Sequence, residues 1–337
     1  MKSTDWSKLG FAYRKTNSNI RCHFKDGEWG KPELHNSDEI TLPISSTCLH
    51  YGQEIFEGLK AFRGKNGDIR LFRPYENAKR LNCSASYLLM PELPEEMFIS
   101  MIKELINANL EFVPPFGSGA SLYIRPFMIG VSPIVGVKPS TEYIFMIYVT
   151  PVGPYFPEGF KPTDMVIYRH FDRAAPNGTG KYKVGGNYAA SLFSGKKAHD
   201  EGYSSVLYLD AKEKKYIDEC GPANFFAIRD KTYITPKSES ILPSITNDSL
   251  VQLAQDLGLK VERRPVLVEE LETFDEAGAC GTAAVISPIR SIFDADKEQR
   301  YYYGDEAGEW STKLYNRLQG IQQGEAEDSH NWVLTII

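Results

Sequence analysis

The stretch Thr150-Pro-Val-Gly-Pro-Tyr-Phe-Pro-Glu-Gly-Phe-Lys-Pro162 holds four prolines and two glycines. Prolines fix φ and remove backbone donors, so this segment is neither a helix nor a central strand. It cuts a chain of 337 residues near the middle, and domains commonly run ~100–200 residues. The chain therefore reads as two domains, residues 1–150 and 163–337, with residues 151–162 as the linker. Hydrophobic residues at 42% and charged residues at 24% are globular values, sufficient for a sizeable core without disulfides or metal.

On the N-terminal side, residues 69–72 read as a strand and residues 75–89 as a helix. Met97, Phe98, Met101, Ile102, Leu105 and Ile106 recur at helical spacing, which predicts a helix over 94–109. Residues 121–129 and 142–150 are rich in β-branched and aromatic side chains and read as strands. On the C-terminal side, strands are expected at 165–170, 205–209, 216–219, 224–229 and 232–235, and helices at 248–257 and 312–323. Strands mixed with segregated helices predict an α+β or mixed α/β class.

The composition also excludes. The N-terminus lacks an apolar signal-peptide core, and no apolar run approaches the ~18–20 residues of a membrane span. Cys22, Cys48, Cys83, Cys220 and Cys280 are odd in number and widely spaced, which fits a reduced cytoplasmic protein better than a zinc ribbon or disulfide scaffold. The six histidines are scattered without ligand spacing, so no metal site is expected. A net charge of −6 with no basic block speaks against nucleic-acid binding.

Several segments suit chemistry on a small anionic ligand. Lys183 lies among Gly178, Gly180, Gly185 and Gly186, where backbone can approach a ligand closely. A partly desolvated lysine becomes a Schiff-base nucleophile. An isolated lysine in such a loop is ordinarily a surface residue, and Lys181, two residues away, is a rival that this segment alone does not dismiss. Residues 242–250 form a turn feeding a helix start, whose amides suit a phosphate, although ordinary capped helices look the same. Residues 280–284 read as a small-residue turn after a loop, with the Thr282 hydroxyl able to take anionic oxygens. Tyr123 and Arg125, two apart on a strand, face one side together as a carboxylate-binding pair would. Glu219, if buried, needs a cationic partner to stay charged; as a surface residue it carries no role.

These segments occur together and in order, and with them the chain resembles the branched-chain amino-acid aminotransferases of the fold-type IV pyridoxal-phosphate enzymes. The resemblance runs from about Trp29 to Trp332. It is carried by His50-Tyr-Gly-Gln-Glu-Ile-Phe-Glu-Gly-Leu-Lys-Ala-Phe62, Arg70-Leu-Phe-Arg-Pro74, Ser121-Leu-Tyr-Ile-Arg-Pro126, Pro151-Val-Gly-Pro-Tyr155 and Lys183-Val-Gly-Gly-Asn-Tyr188. It implies a two-domain fold-type IV architecture, pyridoxal 5′-phosphate as cofactor and Lys183 as the catalytic, Schiff-base lysine. It implies that Arg80, Ile245, Thr246 and Thr282 bind the phosphate. Glu219 would pair with the pyridine nitrogen, and Tyr188 would bind the phenolic oxygen. Tyr123 with the amides of Thr282 and Ala283 would take the α-carboxylate, and Arg125 the side-chain carboxylate of glutamate. Tyr51, Phe56, Gly58 and Tyr155 would line the side-chain pocket.

The implied reaction is transamination of leucine, isoleucine and valine with 2-oxoglutarate by a homodimer or larger homo-oligomer. In place of the Cys-x-x-Cys that some family members carry after the Gly-Thr-Ala turn stands Thr282-Ala-Ala-Val-Ile-Ser287, so no thiol switch of that kind is expected. The competing readings are a D-amino-acid or amine aminotransferase, an aminodeoxychorismate lyase and, from another class, a catalytically silent cofactor-binding protein.

Overall fold

The helical spacing of the apolar residues near position 100 is realised as helix Glu95–Ala108, which buries Phe98, Ile99, Met101, Ile102, Leu105 and Ile106. Its companion helix, Pro74–Tyr87, begins with proline at its first position, where the missing N–H costs nothing. The computed structural model describes residues 5–6, 9–153 and 160–336. The described chain forms two compact units. The first holds residues 1–157, 182–185 and 321–337, and the second holds residues 158–181 and 186–320.

In the first unit a nine-stranded sheet has the order Val333–Thr335, Ile69–Phe72, Leu59–Arg63, Ser121–Gly130, Tyr143–Val152, Asn19–Lys25, Glu28–Trp29. Glu33–His35 and Glu54–Phe56 pair beside this path. Its long central pair, Ser121–Gly130 with Tyr143–Val152, is antiparallel over its whole length. Alternation decides its faces. Leu122, Ile124, Met128, Phe145, Ile147 and Val149 join the two helices in one buried core, which leaves Tyr123 and Arg125 on the opposite face.

In the second unit, strands Ile217–Cys220, Ser205–Leu209, Thr163–Ile167, Val285–Asp294, Glu276–Gly281 and Ala223–Arg229 pair in that order. A further pairing of Ile217–Cys220 with Ala223–Arg229 closes them into a ring. Closure removes the exposed edges that an open sheet would carry. The hairpin between Ala223–Arg229 and Thr232–Pro236 turns on Asp230 and Lys231, both at positive φ, which matches the twist of its strands.

Three expectations are corrected. Residues 182–185 and 321–337 pack with the first unit, so the second unit is not the continuous span 163–337. The second of these segments returns because strand Val333–Thr335 pairs with Ile69–Phe72 at the sheet edge. The loop expected before Cys280 is strand Glu276–Gly281, paired on both sides. Its small residues hide it: a Cβ on Gly278 would lie 2.4 Å from the Phe226 ring, so the aromatic ring fills the space a larger side chain would take. Strand Tyr143–Val152 runs two residues into the expected linker. No helix among the described residues is long and apolar enough to cross a membrane.

Candidate active site

In the first unit, Lys183 is held through its backbone. Its amide donates to the Ser84 hydroxyl at 2.9 Å, and its carbonyl accepts from the Phe56 amide at 3.1 Å. Val184 bridges to Ile55. The Lys183 ammonium lies 4.7 Å from the centre of the Phe56 ring, and the Arg125 guanidinium lies 4.8 Å from the same ring. One aromatic ring thus contacts two cations, each placed to interact with its π system.

Arg125 also donates through Nη2 to the Tyr123 hydroxyl at 3.0 Å, as expected for i and i+2 on one strand face. Gly58 lies against that hydroxyl, and a Cβ there would be 2.2 Å from it. Lys60 stands opposite Tyr123 in the strand register. Its burial pushes its ammonium down to about 8. Burial raises the Tyr148 phenol while Arg125 opposes the shift. Burial likewise raises Glu54, against a hydrogen bond from the Gly185 backbone and the Arg125 charge.

Arg80 is engaged by Glu57. Its Nε donates to one carboxylate oxygen at 2.7 Å and its Nη2 to the other at 2.8 Å. Glu57 is fully buried and also accepts from Asn77 at 2.8 Å and from the Gly58 amide at 3.2 Å. Burial opposes its charge. Arg80, by charge and hydrogen bonds, then Lys183 and Asn77, hold it below the usual glutamate range. Glu57 sits inside the quoted motif, yet sequence reasoning assigned it nothing. The signal available was a glutamate flanked by apolar neighbours with an arginine on the following helix.

In the second unit, Glu219 is buried. It pairs with Arg173 at 3.2 Å and accepts from the Leu242 amide. Arg173 is itself buried and donates to the carbonyls of Gly180 and Ser240. This cationic partner was missed, because nothing in the spacing of Arg173 and Glu219 along the chain announces their contact. Helix Ile245–Asp256 starts earlier than the hydrophobic pattern suggests. The Ser244 side chain caps it by accepting from Asn247. Ile245 and Thr246 therefore occupy the first helical positions, whose amides have no acceptor within the helix.

Thr282 and Ala283 lie in the turn joining Glu276–Gly281 to Val285–Asp294. Val285 closes that hairpin at φ 66°, a conformation costly for a β-branched residue. Tyr188 is half-buried in helix Gly185–Ala190. Lys181 is tied to Glu239 at 2.7 Å on the surface, and that separates it from Lys183. Tyr51 ends helix Thr47–Tyr51 and donates its hydroxyl to the Val135 carbonyl. That bond ties it to the loop between Ser121–Gly130 and Tyr143–Val152. Tyr155 lies outside the described residues. Among the described residues no group of His, Cys, Asp and Glu could hold a metal ion.

The sequence matches the family pattern of Amino-transferase class IV over residues 54–292. The chain belongs to the class IV aminotransferases. Among this family's members it is 48% identical over 339 residues to the branched-chain-amino-acid aminotransferase of Helicobacter pylori J99, covering 100% of this chain and 99% of that relative. The crystal structure of the Escherichia coli branched-chain amino acid aminotransferase superposes with a TM-score of 0.82 at 28% identity, covering 96% of this chain and 100% of that one. The T.th. branched-chain amino acid aminotransferase with pyridoxamine 5′-phosphate also gives 0.82, at 26% identity, covering 96% of this chain and 99% of that one. The mixed α/β class and the fold-type IV aminotransferase architecture follow from these neighbours.

Proposed function

We propose that the chain transaminates leucine, isoleucine and valine with 2-oxoglutarate, giving the branched-chain 2-oxo acids and L-glutamate, with pyridoxal 5′-phosphate as cofactor. One observation carries the reading. The Phe56 ring contacts the Lys183 amine and the Arg125 guanidinium alike. A reactive amine, an apolar wall and a carboxylate-binding cation therefore stand together. An enzyme that must accept both leucine and glutamate needs that set: an apolar wall favours the first, and a charged carboxylate is costly there unless paired.

The donor set suits the cofactor. The Glu219 carboxylate, paired with Arg173, would match a protonated ring nitrogen. Arg80, the Ile245 and Thr246 amides and Thr282 would take the phosphate, and Tyr188 the ring oxygen. Pyridoxal 5′-phosphate supplies an aldehyde for amines and a ring that accepts the electron pair released at the substrate Cα.

Lys183 then acts twice. It would hold the cofactor through its Nζ. Its free amine would also serve as the base that takes the proton from the substrate Cα and then as the acid that gives it back. Glu219 would hold the proton on the ring nitrogen. Tyr123 with the Thr282 and Ala283 amides orients the α-carboxylate. Phe56 and Gly58 would shape the side-chain pocket, with Tyr51 as further lining. We propose that the enzyme works in the cytoplasm as a homodimer or larger homo-oligomer.

The deciding experiment follows the near-visible spectrum of the holoenzyme during single additions of L-leucine, L-glutamate, D-alanine and an aromatic amine. Loss of the cofactor band with the first two supports the reading. Response to D-alanine or the amine alone replaces it with another aminotransferase. Response to none leaves a silent binding protein.

A further inference from the structure

A closed path of contacts joins Arg80 to Lys183. The Arg80 side chain donates twice to Glu57. Glu57 follows Phe56 in the chain, and the Phe56 amide donates to the Lys183 carbonyl. The Lys183 amide donates to the Ser84 hydroxyl at 2.9 Å. That hydroxyl donates in turn to the Arg80 carbonyl at 3.0 Å, one helical turn back. Glu57 and Ser84 are both buried, so water does not compete for these bonds. The path has further braces. The Glu57 amide donates to the Pro126 carbonyl at 2.7 Å, and Asn77 donates to the Glu57 carboxylate.

We propose that Glu57 and Ser84 are positioning residues that hold Arg80 and Lys183 at a preset separation, so that a ligand with a phosphate at one end and an aldehyde at the other is engaged at both ends at once. The inference rests on the cofactor reading above. Ordering a long arginine side chain and a lysine backbone costs conformational entropy. Here that cost is met when the chain folds. The second attachment then becomes intramolecular and gains its full effective concentration. Neither Glu57 nor Ser84 needs to touch the ligand.

The test compares two ligands on the cofactor-stripped full chain. Pyridoxal 5′-phosphate and pyridoxal are titrated separately, read by the near-visible band, and the attached lysine is mapped after borohydride reduction. Wild type prefers the phosphate ester. Ser84→Ala opens the path without changing either end, and Glu57→Gln opens it at a second point. Each is expected to lower the preference ratio about tenfold or more, since small misplacements of paired groups cost that much. Ser84→Thr, which keeps the hydroxyl, is expected to restore it.

An unchanged ratio in both variants overturns the inference, whatever happens to their melting temperatures. So does a ratio that stays low in Ser84→Thr once its stability has returned. If wild type attaches the ligand at a lysine other than Lys183, the cofactor reading itself fails. If Lys183 is labelled throughout and the ratio does not move, only the positioning role fails.

Discussion

Arg125 donates to the Tyr123 hydroxyl at 3.0 Å, and Phe56 packs under its guanidinium. The tyrosine and the arginine are thus one unit on one strand face, braced from below by an apolar ring. Removing the guanidinium takes away the partner for a second carboxylate but leaves the ring in place. Arg125→Ala is expected to lower kcat/KM for glutamate about 100-fold and for isoleucine less than about tenfold, because an unpaired charge loses far more than an apolar group. Steady-state kinetics with both donors check this. Equal losses would show that Arg125 does not read the side-chain carboxylate.

Gly58 also lies against the Tyr123 hydroxyl. A methyl group built there would lie 2.2 Å from the phenol oxygen, so Gly58→Ala must displace the tyrosine. The displacement affects every substrate, since all share the α-carboxylate that Tyr123 is proposed to orient. KM is expected to rise about tenfold for leucine and glutamate alike. A rise confined to one of them would assign Gly58 to side-chain choice instead.

Legibility in the sequence follows the range of the interaction. Helix Glu95–Ala108 was readable because its apolar residues repeat locally and one face is buried. The Tyr123–Arg125 pair was readable because strand alternation alone places i and i+2 together. Strand Glu276–Gly281 was not, since the glycine at its centre, Gly278, is dictated by Phe226 from a neighbouring strand. Arg173 and Glu57 were missed for a related reason. Each is defined by an ion pair whose partner lies elsewhere in the chain, and no local pattern encodes such a contact. The family motifs could name Lys183 and Arg80. They could not show that a buried carboxylate and a serine tie the two together.

Lys183 and Lys181 are separated by their surroundings. Lys181 pairs with Glu239 in solvent, where an ion pair is worth little, whereas Lys183 is clamped by Ser84 and Phe56. Lys183→Ala is expected to abolish the near-visible cofactor band and transamination together. Lys181→Ala should leave both within about twofold, since solvated pairs contribute under ~1 kcal/mol. Spectra of the two purified variants decide, and a band retained without Lys183 would transfer the role to its neighbour.

Lys60 supplies a pH signature. Burial pushes its ammonium down to about 8, whereas an unfolded chain holds lysine near ~10.4. Below pH 8 both states are protonated, and the full cost of burying the charge is felt. Between about pH 8 and 10.4 the unfolded state binds more protons, so the Lys60 contribution to stability rises with pH. Above that range it levels off. The phenols and thiols that burial raises, such as Tyr143 and Cys22, act in the opposite sense, because the native state keeps their protons longer. The comparison must therefore be differential. Lys60→Met removes the titrating group and keeps most of the side-chain volume. Urea unfolding of both proteins from pH 7 to 10 should show wild type gaining stability relative to the variant as pH rises. Parallel curves would mean that the Lys60 ammonium titrates alike in the folded and unfolded chains.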